Sequence, residues 1–181
     1  MNTIELDENL IIRMAGGDGD AFRDLYSQTS GAVFGFALSI LKNRQDAEDV
    51  MHDAFIKAYH GAVSYIPRGK PLAWMMTIVK NLSYNKLKAG RISEDISQYE
   101  NLFSPEEDTG TLDRIVLKKA MEILSFEERQ IVILHALTGM KHREIGQMLE
   151  MPTGTVLSKY NRAIRKVREE LEDQKGKEEM R

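Results

Sequence analysis

Lys141-His142-Arg143-Glu144-Ile145-Gly146-Gln147-Met148-Leu149-Glu150-Met151-Pro152-Thr153-Gly154-Thr155-Val156-Leu157-Ser158-Lys159-Tyr160-Asn161-Arg162 is the stretch that decides how this chain reads. Ile145, Met148 and Leu149 fall at i, i+3 and i+4, so its first part predicts a short helix with one apolar face. Pro152 disfavours a helical Met151, Gly154 permits a sharp bend, and Thr153 is the expected N-cap of a second helix. In that second helix Val156, Tyr160, Ala163, Ile164 and Val167 share one face, suited to packing on the first. The other faces carry Thr155, Leu157, Ser158, Lys159, Asn161, Arg162, Arg165, Lys166 and Arg168, with no acid between Glu150 and Glu169. A helix presented to a DNA major groove needs this layout: hydroxyls and amides near its start for base edges, cations further along for phosphates. The expected contact set is Thr155, Leu157, Ser158, Lys159, Asn161, Arg162 and Arg165. An ordinary amphipathic hairpin with a solvated basic face would share the apolar spacing, yet it requires neither the turn nor the acid-free run.

Upstream, Ser125 followed by Glu128 has capping-box spacing, and Ile131, Val132, Leu134 and Leu137 give the next helix its apolar face. Ile115, Leu117, Ala120, Ile123 and Leu124 mark a helix before it, so a helical module is expected over 111–175. The preceding 91–110 reads as a polar, acidic linker with Ser104-Pro105 and Gly110. A first module over 1–90 is also helical. Asp7 caps a helix with Leu10, Ile11 and Met14 that ends at Gly16-Gly17, and Asp18 or Asp20 caps the next. That second helix is expected to bury Phe22, Leu25, Tyr26, Val33, Phe34, Ala37, Leu38 and Leu41, with Gly31 and Gly35 permitting a bend or a close helix contact. A third helix buries Val50, Met51, Ala54, Phe55 and Ala58; a fourth, from Leu72 to Lys88, buries Leu72, Met75, Ile78, Val79 and Leu82. Strand alternation is absent, so the fold class is all-α, with two small helical domains joined by an acidic linker.

The formal net charge of −3 hides a strong segregation. Residues 54–93 hold no acid and carry Lys57, Arg68, Lys70, Lys80, Lys86, Lys88 and Arg91. Residues 92–113 hold no base and carry Glu94, Asp95, Glu100, Glu106, Glu107, Asp108 and Asp113. Such blocks suit separate surfaces for separate partners, so a mildly acidic chain is compatible with nucleic-acid binding over part of its surface. With no cysteine there are no disulfides and no thiolate metal sites. No signal peptide and no membrane-spanning run is visible, so a cytoplasmic protein is expected.

Several motifs together carry a family resemblance: Gly19-Asp20-Ala21-Phe22-x-x-Leu25-Tyr26, Asp46-Ala47-Glu48-Asp49-Val50 with Phe55-x-Lys57-Ala58-Tyr59, then Trp74, Ile78 and Asn81. In the second half they are Leu124, Glu128-Arg129, Glu144-Ile145-Gly146 and Pro152-x-Gly154-Thr155-Val156-x-Ser158. In order and spacing they resemble the extracytoplasmic-function sigma factors, the smallest class of the bacterial sigma-70 family, over nearly the whole chain. The resemblance implies a promoter-specificity subunit without catalysis of its own. Its first domain (region 2) would bind core RNA polymerase and capture unstacked −10 bases. Its second (region 4) would read the −35 duplex, and the linker would pass near the polymerase active site. Core RNA polymerase and promoter DNA are the implied partners, with an anti-sigma factor as a further one and a monomer as the free state.

Carried onto this sequence, the resemblance places Glu48, Asp49, His52 and Phe55 at the polymerase and Lys80, Asn81, Tyr84 and Asn85 at the −10 bases, with the 63–70 loop holding the base. An aromatic ring, two amides and a cation on adjacent turns suit stacking on and hydrogen-bonding to an extruded base. Helix-dipole preference alone accounts for an acid such as Asp46, and Trp74 serves as core as readily as contact. Glu48 and His52 at i, i+4 lack a third ligand, so no metal and no cofactor is expected. The chain departs from the family pattern at His52, Thr77, Leu157 and Lys159. Lys lacks the bidentate fork of Arg, and Leu157 suits a thymine methyl, so an atypical −35 preference is expected. Two rival readings remain: a dimeric helix-turn-helix regulator, against which the Asp46-to-Phe55 and Trp74-to-Asn85 motifs speak, and a helical scaffold, which leaves the acid-free helix unexplained.

Overall fold

The computed structural model describes residues 4–90 and 122–179. The predicted linker and most of the predicted helix before Ser125 lie outside these. The first module has four helices: α1 (Glu8–Ala15), α2 (Gly19–Leu41), α3 (Arg44–Gly61), which runs on into a 3-10 turn (Ala62–Ser64), and α4 (Pro71–Lys88). The described residues of the second form α5 (Phe126–Thr138), α6 (His142–Leu149) and α7 (Thr153–Glu179).

Local chemistry sets most of the boundaries. Asp7 caps α1 by accepting from Asn9 N, and α1 stops at Gly16 before the left-handed Gly17. Asp18, not Asp20, caps α2, accepting from the Asp20 and Ala21 amides. Asn43 caps α3 through the Asp46 amide, so that helix starts at Arg44. Pro71 opens α4, where a missing N–H costs nothing. Ser125 and Glu128 close the expected capping box on α5.

α2 is the central rod, packed on α1, α3 and α4 and, on its remaining side, on α5 of the second module. One apolar core therefore runs from Leu10, Leu25 and Phe36 through Met75 and Val79 to Ile131, Leu134 and Ile145. A smaller cluster of Leu124, Val132, Ala163 and Val167 lies beneath α7. The contact between modules explains the burial pattern that periodicity missed. In α5, Ile131, Val132, Ile133 and Leu134 are all buried, because the helix is sandwiched between α2 and α7. Each such side chain contributes about 1.5–3 kcal/mol of transfer free energy. In α2 the deep residue is Phe36, fully buried, while Phe34 is half-buried with the Arg44 guanidinium over its ring and Tyr26 is exposed. Met76 of α4 is buried as well, whereas Ile78 and Leu82 are only half-buried.

Polar ties reinforce the closed arrangement. Arg129 is 3% exposed and donates from Nε to the Ser39 carbonyl at 2.7 Å and from a terminal nitrogen to the Leu124 carbonyl at 3.2 Å. Tyr84 Oη donates to Gln130 Oε1 at 3.0 Å, and Lys70 Nζ to Gln147 Oε1 at 3.3 Å. At Gly35 of α2 an added Cβ would overlap the Leu137 side chain of α5, so this glycine serves a close helix contact, and it is made between the two modules.

Candidate nucleic-acid interface

The turn between α6 and α7 differs in detail from its sequence reading. Glu150 takes the left-handed conformation at φ 59 that reverses the chain, and Met151 N donates to the Gly146 carbonyl at 2.8 Å. A Cβ at Gly146 would lie 2.8 Å from the Met151 carbonyl oxygen, so the turn presses on bare backbone there. Gly154 is not the bend; it sits inside α7 with nothing near its Cβ position. Thr153 is not the cap either, since it is the first helical residue. The Pro152 carbonyl accepts from Thr155 N and Val156 N at 2.9 and 3.1 Å and starts the helix.

α7 packs as expected: Val156, Ala163 and Val167 are buried, and Tyr160 and Ile164 half-buried. Thr155, Leu157, Ser158, Asn161, Arg162 and Arg165 are exposed on its outer surface, Leu157 at 46%. Lys159 departs from the set. Its ammonium pairs with Glu127 at 2.5 Å, so it is tethered to the start of α5 and is not free on the outer face. Lys166 binds Glu128 at 2.8 Å. Burial pushes the Glu128 carboxyl up, but the Lys166 and Ser125 hydrogen bonds outweigh it and the net direction is down. Under α7, His135 and His142 stack at 4.9 Å with Tyr160 edge-on to both. Burial and the neighbouring His135 hold the His142 pKa below its ordinary value, and its Nε2 is buried without a hydrogen-bond partner.

The four predicted −10 residues come together. Lys80, Asn81, Tyr84, Asn85 and Lys88 of α4 line one open cleft of about 480 Å³, closed on the far side by Leu149 and Glu150. Asn81 and Asn85 are exposed to it. Lys80 is 8% exposed, with Nζ donating to the Met148 carbonyl at 2.8 Å and paired with Glu150 at 3.1 Å. Burial pushes the half-buried Tyr84 hydroxyl up. Two of the four residues are therefore engaged by the second module in this arrangement.

On α3, Glu48 pairs with Arg44 at 2.8 Å, Asp49 with Lys86 at 2.8 Å, and Asp46 also with Lys86 at 2.7 Å. His52 is exposed. Phe55 is 2% exposed, as the periodicity of this helix predicts, so it is not the surface contact that the resemblance makes it; it supports an aromatic cluster with Phe22 at 6.2 Å and Tyr26 at 4.6 Å. The apolar side chains on the surface here are Tyr26, Ile56 and Tyr59, 38%, 56% and 41% exposed. Ile56 and Tyr59 were legible as the residues flanking the buried stripe. Among the described residues no cluster of metal ligands occurs and no helix is long and apolar enough to cross a membrane.

A helical chain with a helix-turn-helix in its second module and an open polar cleft at the seam between the modules fits a class, the promoter-specificity subunits of transcription. Comparison with known proteins bears this out. Residues 25–92 match the family model of Sigma-70 region 2, and residues 114–167 that of Sigma-70, region 4. The ECF RNA polymerase sigma-E factor of Haemophilus influenzae is 30% identical over 87% of this chain and 90% of its own. The RNA polymerase sigma factor CarQ of Myxococcus xanthus is 27% identical over 88% and 94%. Among solved structures, the sigma factor RpoE of Bartonella quintana, co-crystallised with the anti-sigma factor NepR, aligns with a TM-score of 0.65 at 26% identity, covering 83% of this chain and 96% of that one. The chain belongs to the extracytoplasmic-function RNA polymerase sigma factors of the sigma-70 family. It is a non-catalytic initiation factor that works with core RNA polymerase in promoter-specific transcription.

Proposed function

We propose a division of labour among named residues. Asn81 and Asn85, with Lys80 and Tyr84, capture unstacked −10 bases, and the 63–70 loop holds the base. Thr155, Leu157, Ser158, Asn161, Arg162 and Arg165 read the −35 duplex, and Lys159 joins them once it leaves Glu127. Glu48, Asp49 and His52 meet basic groups of the polymerase clamp. The exposed Tyr26, Ile56 and Tyr59 supply the apolar part of that contact, with Phe55 as their support. The convergence of Lys80, Asn81, Tyr84 and Asn85 on one cleft carries this reading.

Geometry adds a requirement. The two promoter elements stand roughly 25 base pairs apart, about 85 Å of duplex. A compact chain of 181 residues is only about 40 Å across. Promoter engagement therefore requires α5–α7 to leave α1–α4, and leaving releases Lys80 and Tyr84. Core polymerase is the agent of that opening. An anti-sigma factor, such as the one bound to the Bartonella quintana relative, would act on the same surfaces. The free protein is a cytoplasmic monomer.

Run-off transcription from genomic fragments with bacterial core polymerase tests the reading. Discrete starts that depend on this protein, and that are lost in Asn81→Ala at the melting step, are expected. Unchanged permanganate reactivity at −10 in Asn81→Ala would remove the cleft from the mechanism. Tight duplex binding by a dimer without polymerase would replace the whole reading with a conventional regulator.

A further inference from the structure

The loop between α3 and α4 has no apolar anchor of its own at its tip. Val63 and Ile66 are 79% and 62% exposed, and Pro67 and Pro71 bracket a turn through the left-handed Gly69 at φ 66. The tip is held by an acid some sixty residues away in the sequence. Oε1 of Glu8, the first residue of α1, accepts three hydrogen bonds from it: Tyr65 Oη at 2.6 Å, Arg68 N at 2.8 Å and Gly69 N at 2.9 Å. Two successive amides converging on one anion form a nest, the backbone arrangement that binds a negative charge. The Tyr65 ring in turn stands edge-on to Trp74 at 5.0 Å, and Trp74 lies against Gly61. Loop, α1 and the start of α4 are thus joined through a single carboxylate oxygen. The Tyr65 hydrogen bond heads the causes that hold the Glu8 carboxyl below its ordinary pKa, while burial and the Glu8 contact push the Tyr65 hydroxyl up.

We propose that Glu8 is a positioning residue for promoter melting: its carboxylate fixes the shape in which the 63–70 loop presents Val63 and Ile66 to an extruded base. This rests on the reading of the loop and cleft as the −10 site. Glu8 touches no DNA; it acts through the loop. Without that carboxylate the exposed tip of the loop would sample many conformations, and each capture event would bear the cost of ordering it. A preorganised loop makes that cost part of folding.

The experiment uses the full chain with core polymerase on one promoter, separating initial promoter binding from the rate of opening. Glu8→Ala is expected to slow opening about tenfold, as befits charge-assisted hydrogen bonds lost from one site. Polymerase affinity and −35 duplex binding should stay unchanged. Glu8→Gln, which keeps an acceptor for the loop, should recover most of the rate. Tyr65→Phe should fall between, and Glu8→Ala with Tyr65→Phe should be no worse than Glu8→Ala alone, because both act on one network. Circular dichroism melting of each variant guards against loss of fold; should Glu8→Ala melt early, the Glu8→Gln and Tyr65→Phe pair carries the test by itself. Asn81→Ala in parallel separates the two ideas. If Asn81→Ala abolishes melting while Glu8→Ala opens at the wild-type rate, Glu8 has no positioning role. If neither affects melting, the underlying −10 assignment is what fails. A loss equal in opening and in polymerase binding would mark Glu8 as structural only and overturn the proposal.

Discussion

The two helices proposed to meet DNA present themselves differently. α7 turns a basic, hydroxylated face outward and hides only its apolar stripe against α5 and α6. α4 is gripped on its proposed DNA face by the other module, through Lys80 to Met148 and Glu150 and through Tyr84 to Gln130. One reader is open and the other is half shut. The same domain that carries the open reader shuts the second. Duplex recognition needs only an exposed surface, whereas base capture needs side chains that are unpaired polar groups until DNA arrives. Intramolecular partners satisfy those groups in the free protein, at the cost of having to be displaced.

The largest break in this contrast should come from Arg129→Ala. It removes the donor from a buried carbonyl at each end, and a loss of about 3 kcal/mol in denaturant unfolding is expected. A loss below about 1 kcal/mol would show that Arg129 does not hold the modules together. Next, Gly35→Leu places a side chain where Leu137 already sits, costing about 2 kcal/mol as overpacking. The modules should part, and small-angle scattering should show a radius of gyration above the roughly 16 Å of a compact chain this size. An unchanged radius would mean that the contact repacks instead.

Acidification is the third lever and acts on the second module. The folded-state pKa of His142 is depressed, so the unfolded chain takes up the proton first. The contribution of neutral His142 is complete above the ordinary histidine pKa and is lost as pH falls from there through the folded value. Melting of this module should drop between neutral pH and about pH 5, and less so in His142→Gln; a flat profile sinks the idea. The smallest effect on stability is expected from Leu157→Arg, within about 0.5 kcal/mol because the site is exposed. Its −35 preference should nevertheless shift in competition binding, and an unaltered preference would take Leu157 off the base-reading face.

How much of this was legible in advance varies with range. Capping chemistry and periodicity are local, so the start of α1, the Ser125–Glu128 box and the buried stripe of α7 could be read directly. Lys80 could not be placed the same way. A lysine is free or held depending on where the second module docks. Lys159 reads as a DNA contact until Glu127 is brought against it. The hold of Glu8 on the loop was invisible because its partners lie at 65, 68 and 69, and no local pattern announces them.

By itself the sequence determined that the chain is helical and two-part, that 141–162 forms a helix, a turn and a second helix with an acid-free outer face, and that the residues at 80–85 belong together, since each follows from spacing within a few turns. Only the tertiary structure decided that the two parts close on each other, that Arg129 and Gly35 make that contact, and that one distant carboxylate shapes the 63–70 loop. Those depend on which buried polar groups and which bare stretches of backbone meet across the core, and that matching is set by long-range packing.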